Sequence, residues 1–515
     1  MPHESTDYTR PSLQTTSAVE HGFLARSIRR ATGGLDRYGD RVPSFIFVIA
    51  VAVVLIAAVA CSRGGYAHLE IEQYIPHYLS HRPLLEKIYD YKKVEVWLSY
   101  RPRPLSYVVD DFDVAFIAWS ARHGFPHLLS LSYYIFWALD CFLLWFYFCR
   151  RLGLHRLTAG LLICLFSTDS VVFAHTGYFR SAKPGGTFFL VAAFVVLAEC
   201  FRAVLRRRST LQCGILAGFG AVLLLCGCLF DEIPAAFSVS AAVMLMFEWL
   251  WNRNSPRARA CLYCLIPILL VLAAFTFYDL VGHKWLIWKI DGERASMWYQ
   301  TGTAAALLWH PAVLLMGTIS VFVDVFGRLT GDLPTVLSLI LMLALISTWW
   351  GSDASSQAQS QLGVRHFLHG EVPKPLMRIL LGGFLMICCL YGMIARHHPI
   401  MRTDVRSSDY VLPLTGVFLI FLGITASLLI TRRYLSKSAL QLILIVLVAS
   451  NLVLVVSERV FSHGDPFTDA LLTALRDPAA LAPRFPDDPD FPRLKSDVLT
   501  SPIYKTLHAE MMKGH

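Results

Sequence analysis

Between Glu70 and Asp113 the chain gathers side chains that could move a proton and hold a phosphate. Glu70, Glu72 and Tyr74 lie in the run YAHLEIEQYIPHYLSHRPLLEKIYDY (66–91). Arg101 and Arg103 follow in YRPRPLSYVVDDFDVAF (100–116), with Tyr107 next and Asp110, Asp111 and Asp113 directly after. A carboxylate near a bilayer surface can take a proton from an acceptor hydroxyl. Arginines can grip a phosphate-bearing donor through paired hydrogen bonds. The plainer alternative is a solvated juxtamembrane helix with ordinary surface charges.

Three further clusters could serve the same chemistry. Arg180 and Lys183 stand beside Pro184-Gly185-Gly186, where exposed backbone N–H groups at a helix start would suit a phosphate. Snorkelling of both cations to lipid headgroups is the alternative. Asp231 and Glu232 are adjacent acids that could pair with Arg180 or Lys183, bind a divalent cation, or simply make a turn. His397, His398, Arg402, Asp404 and Arg406 crowd one short loop. Adjacent histidines diverge and no third ligand is spaced to help, so phosphate or acceptor contact is favoured over a metal, and a simple basic loop over both. Asp140 and Asp169 fall within apolar segments, as functional candidates or as helix–helix hydrogen-bonding groups.

The elements that must carry these residues are transmembrane helices. The 515-residue chain is 55% hydrophobic and only 16% charged, where soluble domains carry about a quarter charged residues. A span needs roughly 20 apolar residues. Spans are expected near 43–61, 126–148, 157–176, 184–202, 211–230, 234–251, 260–280, 333–350, 377–395, 411–431 and 438–456. The fold class is therefore all-α, a polytopic bundle of about eleven spans with interfacial helices in its outer loops. The net charge of +9 reflects basic residues left at one membrane face, so nucleic acid is excluded as a partner. The twelve cysteines sit mostly in apolar segments and read as small fillers.

Arginine sets the sidedness. Arg26, Arg29, Arg30, Arg37 and Arg41 precede the first span, which reads as a signal-anchor with its N-terminus in the cytoplasm. Arg150, Arg151 and Arg156, then Arg202 and Arg206 to Arg208, then Arg253, Arg257 and Arg259 all fall on the same side. So do the basic residues before the ninth span and after the tenth. Residues 304–326 are apolar enough to cross, but one crossing there would invert every later loop, so they read as interfacial or re-entrant. The organisation is a basic leader (1–42), a transmembrane domain (43–456) with large outer loops at 62–125 and 281–332, and a tail (457–515) that lies loosely on the outer face or is disordered. Large outer loops and short cytoplasmic ones fit an enzyme working at one face better than a transporter.

This arrangement resembles the GT-C superfamily of membrane glycosyltransferases, of the protein mannosyltransferase and aminoarabinose-transferase type. Glu70 with Tyr74 stands where the superfamily has an acidic pair and a tyrosine. Arg103-Pro104-Leu105-Ser106-Tyr107 resembles its basic-Pro-Pro-Leu-x-Tyr element, and Arg406 to Pro413 resembles its Arg-Tyr-x-x-Pro stretch. Ile71 replaces the second acid, and Asp231-Glu232-Ile233-Pro234 stands where Lys-Gly is common.

The resemblance implies transfer of a sugar from a polyprenyl-phosphate donor to a glycan, lipid or protein acceptor at the outer or lumenal face. Glu70 is the first choice of base, Glu72 the second and Asp111 the third. Tyr74, Arg101, Arg103, Tyr107, Arg180, Lys183, Asp231, Glu232, His398 and Arg406 would line the substrate site. No cofactor signature is present, although a divalent cation could bind. Membrane lipids are expected partners. The absence of any Asn-x-Ser/Thr site and the arginine-heavy composition lean to a bacterial inner membrane. A transporter or lipid flippase, and a catalytically silent accessory protein, are the competing classes.

Overall fold

In the computed structural model of the protein, the described residues are 69–89, 102–169, 182–251, 253–291, 412–431, 436–461, 466–481 and 491–513, with 49, 52 and 53. Regular structure among them is helical throughout. The first group is α1 (Leu69–Tyr78), α2 (Leu84–Tyr89) and α3 (Pro104–Arg122). The bundle follows as α4 (Leu131–Arg150), α5 (Arg156–Ser167), α6 (Ala182–Leu205), α7 (Thr210–Phe230), α8 (Glu232–Trp251) and α9 (Pro256–Phe277). A π-helical turn, Tyr278–Gly282, leads from α9 into α10 (His283–Asp291). Later come α11 (Leu412–Thr431), α12 (Lys437–Phe461), α13 (Pro466–Arg476), α14 (Phe491–Thr500) and α15 (Pro502–Met512).

Six helices among the described residues are long and apolar enough to cross a membrane: Leu131–Arg150, Ala182–Leu205, Thr210–Phe230, Glu232–Trp251, Pro256–Ile290 and Lys437–Leu454. In hydrocarbon only a helix or a closed barrel satisfies every backbone N–H and C=O, so these uninterrupted apolar runs become helices. The chain is a multi-pass membrane protein, all-helical among the described residues. The apolar helix α5 is shorter, at 12 residues, and ends at Ser167. The expected spans at 43–61, 333–350 and 377–395, and the 304–326 segment, lie outside the described residues or nearly so.

The turns between helices collect charge by type. Arg206 to Arg208 join α6 to α7, Arg253 joins α8 to α9, and Arg150 and Arg151 end α4. Connectivity puts these at one end of the bundle. There Glu199 accepts from Arg202 at 2.6 Å and pairs with Arg151 at 3.2 Å. Asp231, the single residue between α7 and α8, marks the opposite end.

Among the described residues, apolar side chains form two cores. One fills the bundle, drawing Phe148, Phe166, Phe201 and Leu144 from α4, α5 and α6 together with residues of α7, α8, α9, α11 and α12. The other packs Tyr74, Tyr78, Tyr107 and Ile117 of α1 and α3 against Leu471, Leu475, Ile503 and Leu507 of the tail. This corrects the expectation of a loose or disordered tail for 466–481 and 491–513. Leu471, Ala474 and Leu475 stand three and four residues apart and bury one face of α13. The conspicuous Pro/Asp-rich stretch nearby masked that period. In the segment expected to form the second outer loop, helix continues from α9 through the π turn to Asp291, with Ile287 buried in the second core.

Candidate functional site

The site is built where α3 begins. Pro104 at the first helical position starts α3 without needing its missing N–H. Helical phase then turns Ser106, Tyr107, Asp110, Asp113, Val114 and Ile117 inward. Arg103, just before the helix, is only 2% exposed. Its Nε donates to the Tyr107 hydroxyl at 3.4 Å, and its guanidinium lies 5.6 Å from the centre of that ring.

Across from Arg103 lies the buried pair Lys183–Asp231, at 2.7 Å. Two glycines allow it. A Cβ on Gly186 would lie 2.9 Å from the Asp231 Cβ, and one on Gly185 would run into the Phe230 ring. The first turn of α6 can therefore press against the α7–α8 hairpin. Asp231 also accepts from the Ile233 N–H at 3.0 Å, capping α8 as it ends α7. Burial alone would raise the Asp231 carboxyl. The Lys183 ammonium, the Ile233 N–H and the nearby Arg103 charge outweigh it and hold the pKa below the ordinary value.

Tyr74 and Tyr78 stack one turn apart on α1, ring centres 6.0 Å apart. The Tyr78 hydroxyl is buried with no hydrogen-bond partner among the described residues. Burial pushes its pKa well above the phenol range, and the Asp110 carboxylate beside it pushes the same way. Asp110 is itself 2% exposed. Arg103, Tyr107, Asp110, Tyr74 and Tyr78 thus make one buried polar group, with Lys183 and Asp231 at its edge.

The other two acids of α3 are engaged in building the scaffold. Asp111 accepts from Lys87 at 2.9 Å, and Lys87 also donates to the Tyr78 carbonyl at 2.5 Å. That clip ties α1, α2 and α3 together. Asp113 accepts from Ser130 and Ser132 hydroxyls and, at 2.8 Å, from the Ser132 backbone N–H that opens α4. Burial raises the Asp113 pKa, against the downward pull of these hydrogen bonds.

The sequence-predicted residues divide accordingly. Tyr74, Arg103, Tyr107, Lys183 and Asp231 come together. Asp111 sits one residue away on the α2 side of α3, in its pair with Lys87. Glu232 is half-buried in the first turn of α8. Glu70 lies on α1 one turn before Tyr74 and Glu72 two residues before it, with side chains outside the described set. Arg101, Arg180, His398 and Arg406 also lie outside the described residues. Pro184-Gly185-Gly186 lie in the first turns of α6, which is described from Ala182, and Gly185 and Gly186 pack closely against Phe230 and Asp231. Asp140, 3% exposed, is buried in the bundle away from this group.

Sequence reasoning passed over Tyr78 and gave Asp110 no role. The signal was available for both, since Tyr78 follows Tyr74 by four residues and Asp110 follows Tyr107 by three. No group of three or more His, Cys, Asp or Glu side chains among the described residues is arranged to hold a metal. Asp231 could still contribute to a cation site only by leaving Lys183.

A scan against family models finds no match, and searches of curated proteins and of solved structures find none either.

Proposed function

We propose that the chain is a GT-C-like membrane glycosyltransferase that moves a sugar from a polyprenyl-phosphate donor to an acceptor at the outer membrane face. The observation that supports this reading is the buried Lys183–Asp231 pair at one end of the bundle, whose carboxyl feels the charge of buried Arg103 at the start of α3. It joins the acidic, tyrosine-rich first loop to the cationic hairpin in one buried polar group, as a phosphate-bearing donor would require.

In the proposed reaction the acceptor hydroxyl oxygen attacks the anomeric carbon, and the bond from that carbon to the phosphate oxygen breaks. The phosphate leaves with the electron pair, and the configuration at carbon inverts. A carboxylate receives the hydroxyl proton: Glu70 first, then Glu72, then Asp111, with Asp110 added by its position beside Tyr78. Arg103 and Lys183, with Arg101, Arg180 and Arg406, would offset the charge on the leaving phosphate. The wider proposal includes about eleven spans, a cytoplasmic N-terminus and a bacterial inner membrane. The acceptor would be a glycan, lipid or protein.

One observation favours the catalytically silent alternative. Lys183 and Asp111 are each already paired with an opposite charge, which an active site would have to release. The test is transfer of a radiolabelled sugar from polyprenyl-phosphate in proteoliposomes. Transfer by the native protein and its loss in the E70Q/E72Q/D111N triple variant are expected. Full transfer by the triple variant would overturn the base assignment. No transfer by the native protein from any lipid-linked sugar would favour the silent reading.

A further inference from the structure

Asp140 stands in the middle of α4, a 20-residue helix able to cross a membrane. About 15 Å of helix separates it from either end. It is 3% exposed and faces the interior of the bundle. A carboxyl at that depth is costly and needs a partner. A hydrogen bond to a neighbouring helix would supply one, yet its buried Oδ1 has none among the described residues.

Nor does a cation reach it from the helices packed around α4. Helix α6 carries no titratable side chain between Lys183 and Glu199, close to its two ends. Past Arg156 at its start, α5 offers only Cys164, and Asp169 just beyond it is a second acid. Helix α11 carries none. From α3, Asp113 reaches only the start of α4, where Ser130 and Ser132 hold it. On α4 itself the neighbours are Tyr133 and Cys141. An ionised carboxylate left unpaired in such surroundings is strongly disfavoured, and taking up a proton removes the cost.

The same face of α4 shows how a proton could come and go. Tyr133 and Tyr147 lie seven residues to either side of Asp140, and seven residues return to nearly the same direction, with a drift of about 20°. Both are buried. Tyr133 is already engaged by other groups. The Tyr147 hydroxyl is instead buried without a hydrogen-bond partner. Beside it the Arg202 guanidinium lies 5.6 Å from the ring centre. Arg202 pairs with Glu199, and Glu199 with Arg151, whose side chain is 41% exposed. Polar groups therefore lead from the middle of the bundle to solvent at its arginine-rich end.

We propose that Asp140 is a proton-binding site in the middle of the bundle, occupied at neutral pH, whose proton exchanges with the arginine-rich end through the Tyr147 hydroxyl and bridging water. The proton leaves the Asp140 oxygen for water, the Tyr147 oxygen accepts one proton as it releases its own, and only O–H bonds break and form. The site is separate from the Arg103–Lys183–Asp231 group and does not require glycosyl transfer.

The test is infrared spectroscopy of the full-length protein in proteoliposomes at neutral pH. A carboxylic-acid C=O band that shifts in heavy water, persists in Asp169→Asn and is missing from Asp140→Asn is expected. If Asp140→Asn does not fold, Asp140→Glu, which keeps the acid but moves its band, makes the same assignment. Absence of the band from the native protein, or its loss only in Asp169→Asn, would overturn the site. The path is read from the rate of the band shift after transfer to heavy water. Tyr147→Phe should slow it about a hundredfold, the scale on which a positioned proton-transfer group acts, while Tyr133→Phe should exchange like the native protein. A native rate in Tyr147→Phe, or slowing confined to Tyr133→Phe, would overturn the path.

Discussion

Lys183 and Asp231 meet at 2.7 Å across the first turn of α6 and the link between α7 and α8, with Asp231 only 2% exposed. Forty-eight positions apart in sequence by their numbers, they lock two helical hairpins at the end of the bundle where α3 begins. A buried ion pair of this kind is unforgiving to the loss of one partner, because the survivor remains desolvated and unpaired.

Single substitutions at this pair should therefore cost more than the double. Lys183→Met and Asp231→Asn are each expected to destabilise the fold, by about 3–5 kcal/mol for a fully uncompensated charge. The combined variant should recover a substantial part of that loss. Thermal unfolding in detergent, arranged as a double-mutant cycle, reads the coupling directly. Additive losses would show that the two charges act independently.

The glycines beneath the pair should be equally intolerant. An alanine at Gly186 places its methyl 2.9 Å from the Asp231 Cβ, so α6 must move away from the hairpin. Overpacking of this sort typically costs about 1–3 kcal/mol. Gly186→Ala should lower the unfolding midpoint, while Gly214→Ala, where nothing lies within 4 Å of the added methyl, should not.

Tyr78 separates structure from ligand binding. Its buried hydroxyl lacks a hydrogen-bond partner among the described residues, so Tyr78→Phe removes an atom that the fold does not use. Stability should hold or rise by up to about 1 kcal/mol, since an unsatisfied polar group is costly to bury. If the hydroxyl meets substrate, sugar transfer by that variant should fall at least tenfold with the unfolding midpoint unchanged. A variant with native transfer would remove Tyr78 from the site.

The tail should respond to acid. Burial would raise the Glu510 carboxyl, but hydrogen bonds from Lys513 and Arg122 outweigh it and depress the pKa below its ordinary value of 4.5. A depressed carboxylate stabilises the folded form above its unfolded pKa and loses that contribution as pH falls through the folded value. Docking of α15 on α3 through the Arg122–Glu510 contact, at 2.5 Å, should thus be complete above about pH 4.5 and weaken progressively below it. Hydrogen exchange of 502–512 across that window checks the sign. Glu510→Gln should remove the pH dependence.

Much of the bundle was legible in the chain. Long uncharged runs such as Thr210–Phe230 must be helical in hydrocarbon, because no water is there to satisfy the backbone, and their ends could be read to within a few residues. Arg103, Tyr107, Lys183 and Asp231 were also visible as candidates, since charge at the end of an apolar run is conspicuous. Their partners were not decided: Lys183 with Asp231 stood only as one of several alternatives. Whether Lys183 faces a lipid phosphate or Asp231 depends on how closely two hairpins approach, and that distance is set by Gly185 and Gly186 packing against Phe230 and Asp231. In the same way, three neighbouring acids of identical type divide among three environments through helical phase alone. Asp110 turns toward Tyr78, Asp111 toward Lys87 and Asp113 toward Ser130 and Ser132. The tail offered the opposite case: its α13 face is written in local spacing, yet its partners on α1 and α3 lie almost four hundred positions earlier by their numbering. Local composition determines which segments are helices and which are buried in lipid. Only tertiary packing decides which charges neutralise one another and which remain to meet a ligand, because charge pairing depends on distances that no sequence separation encodes.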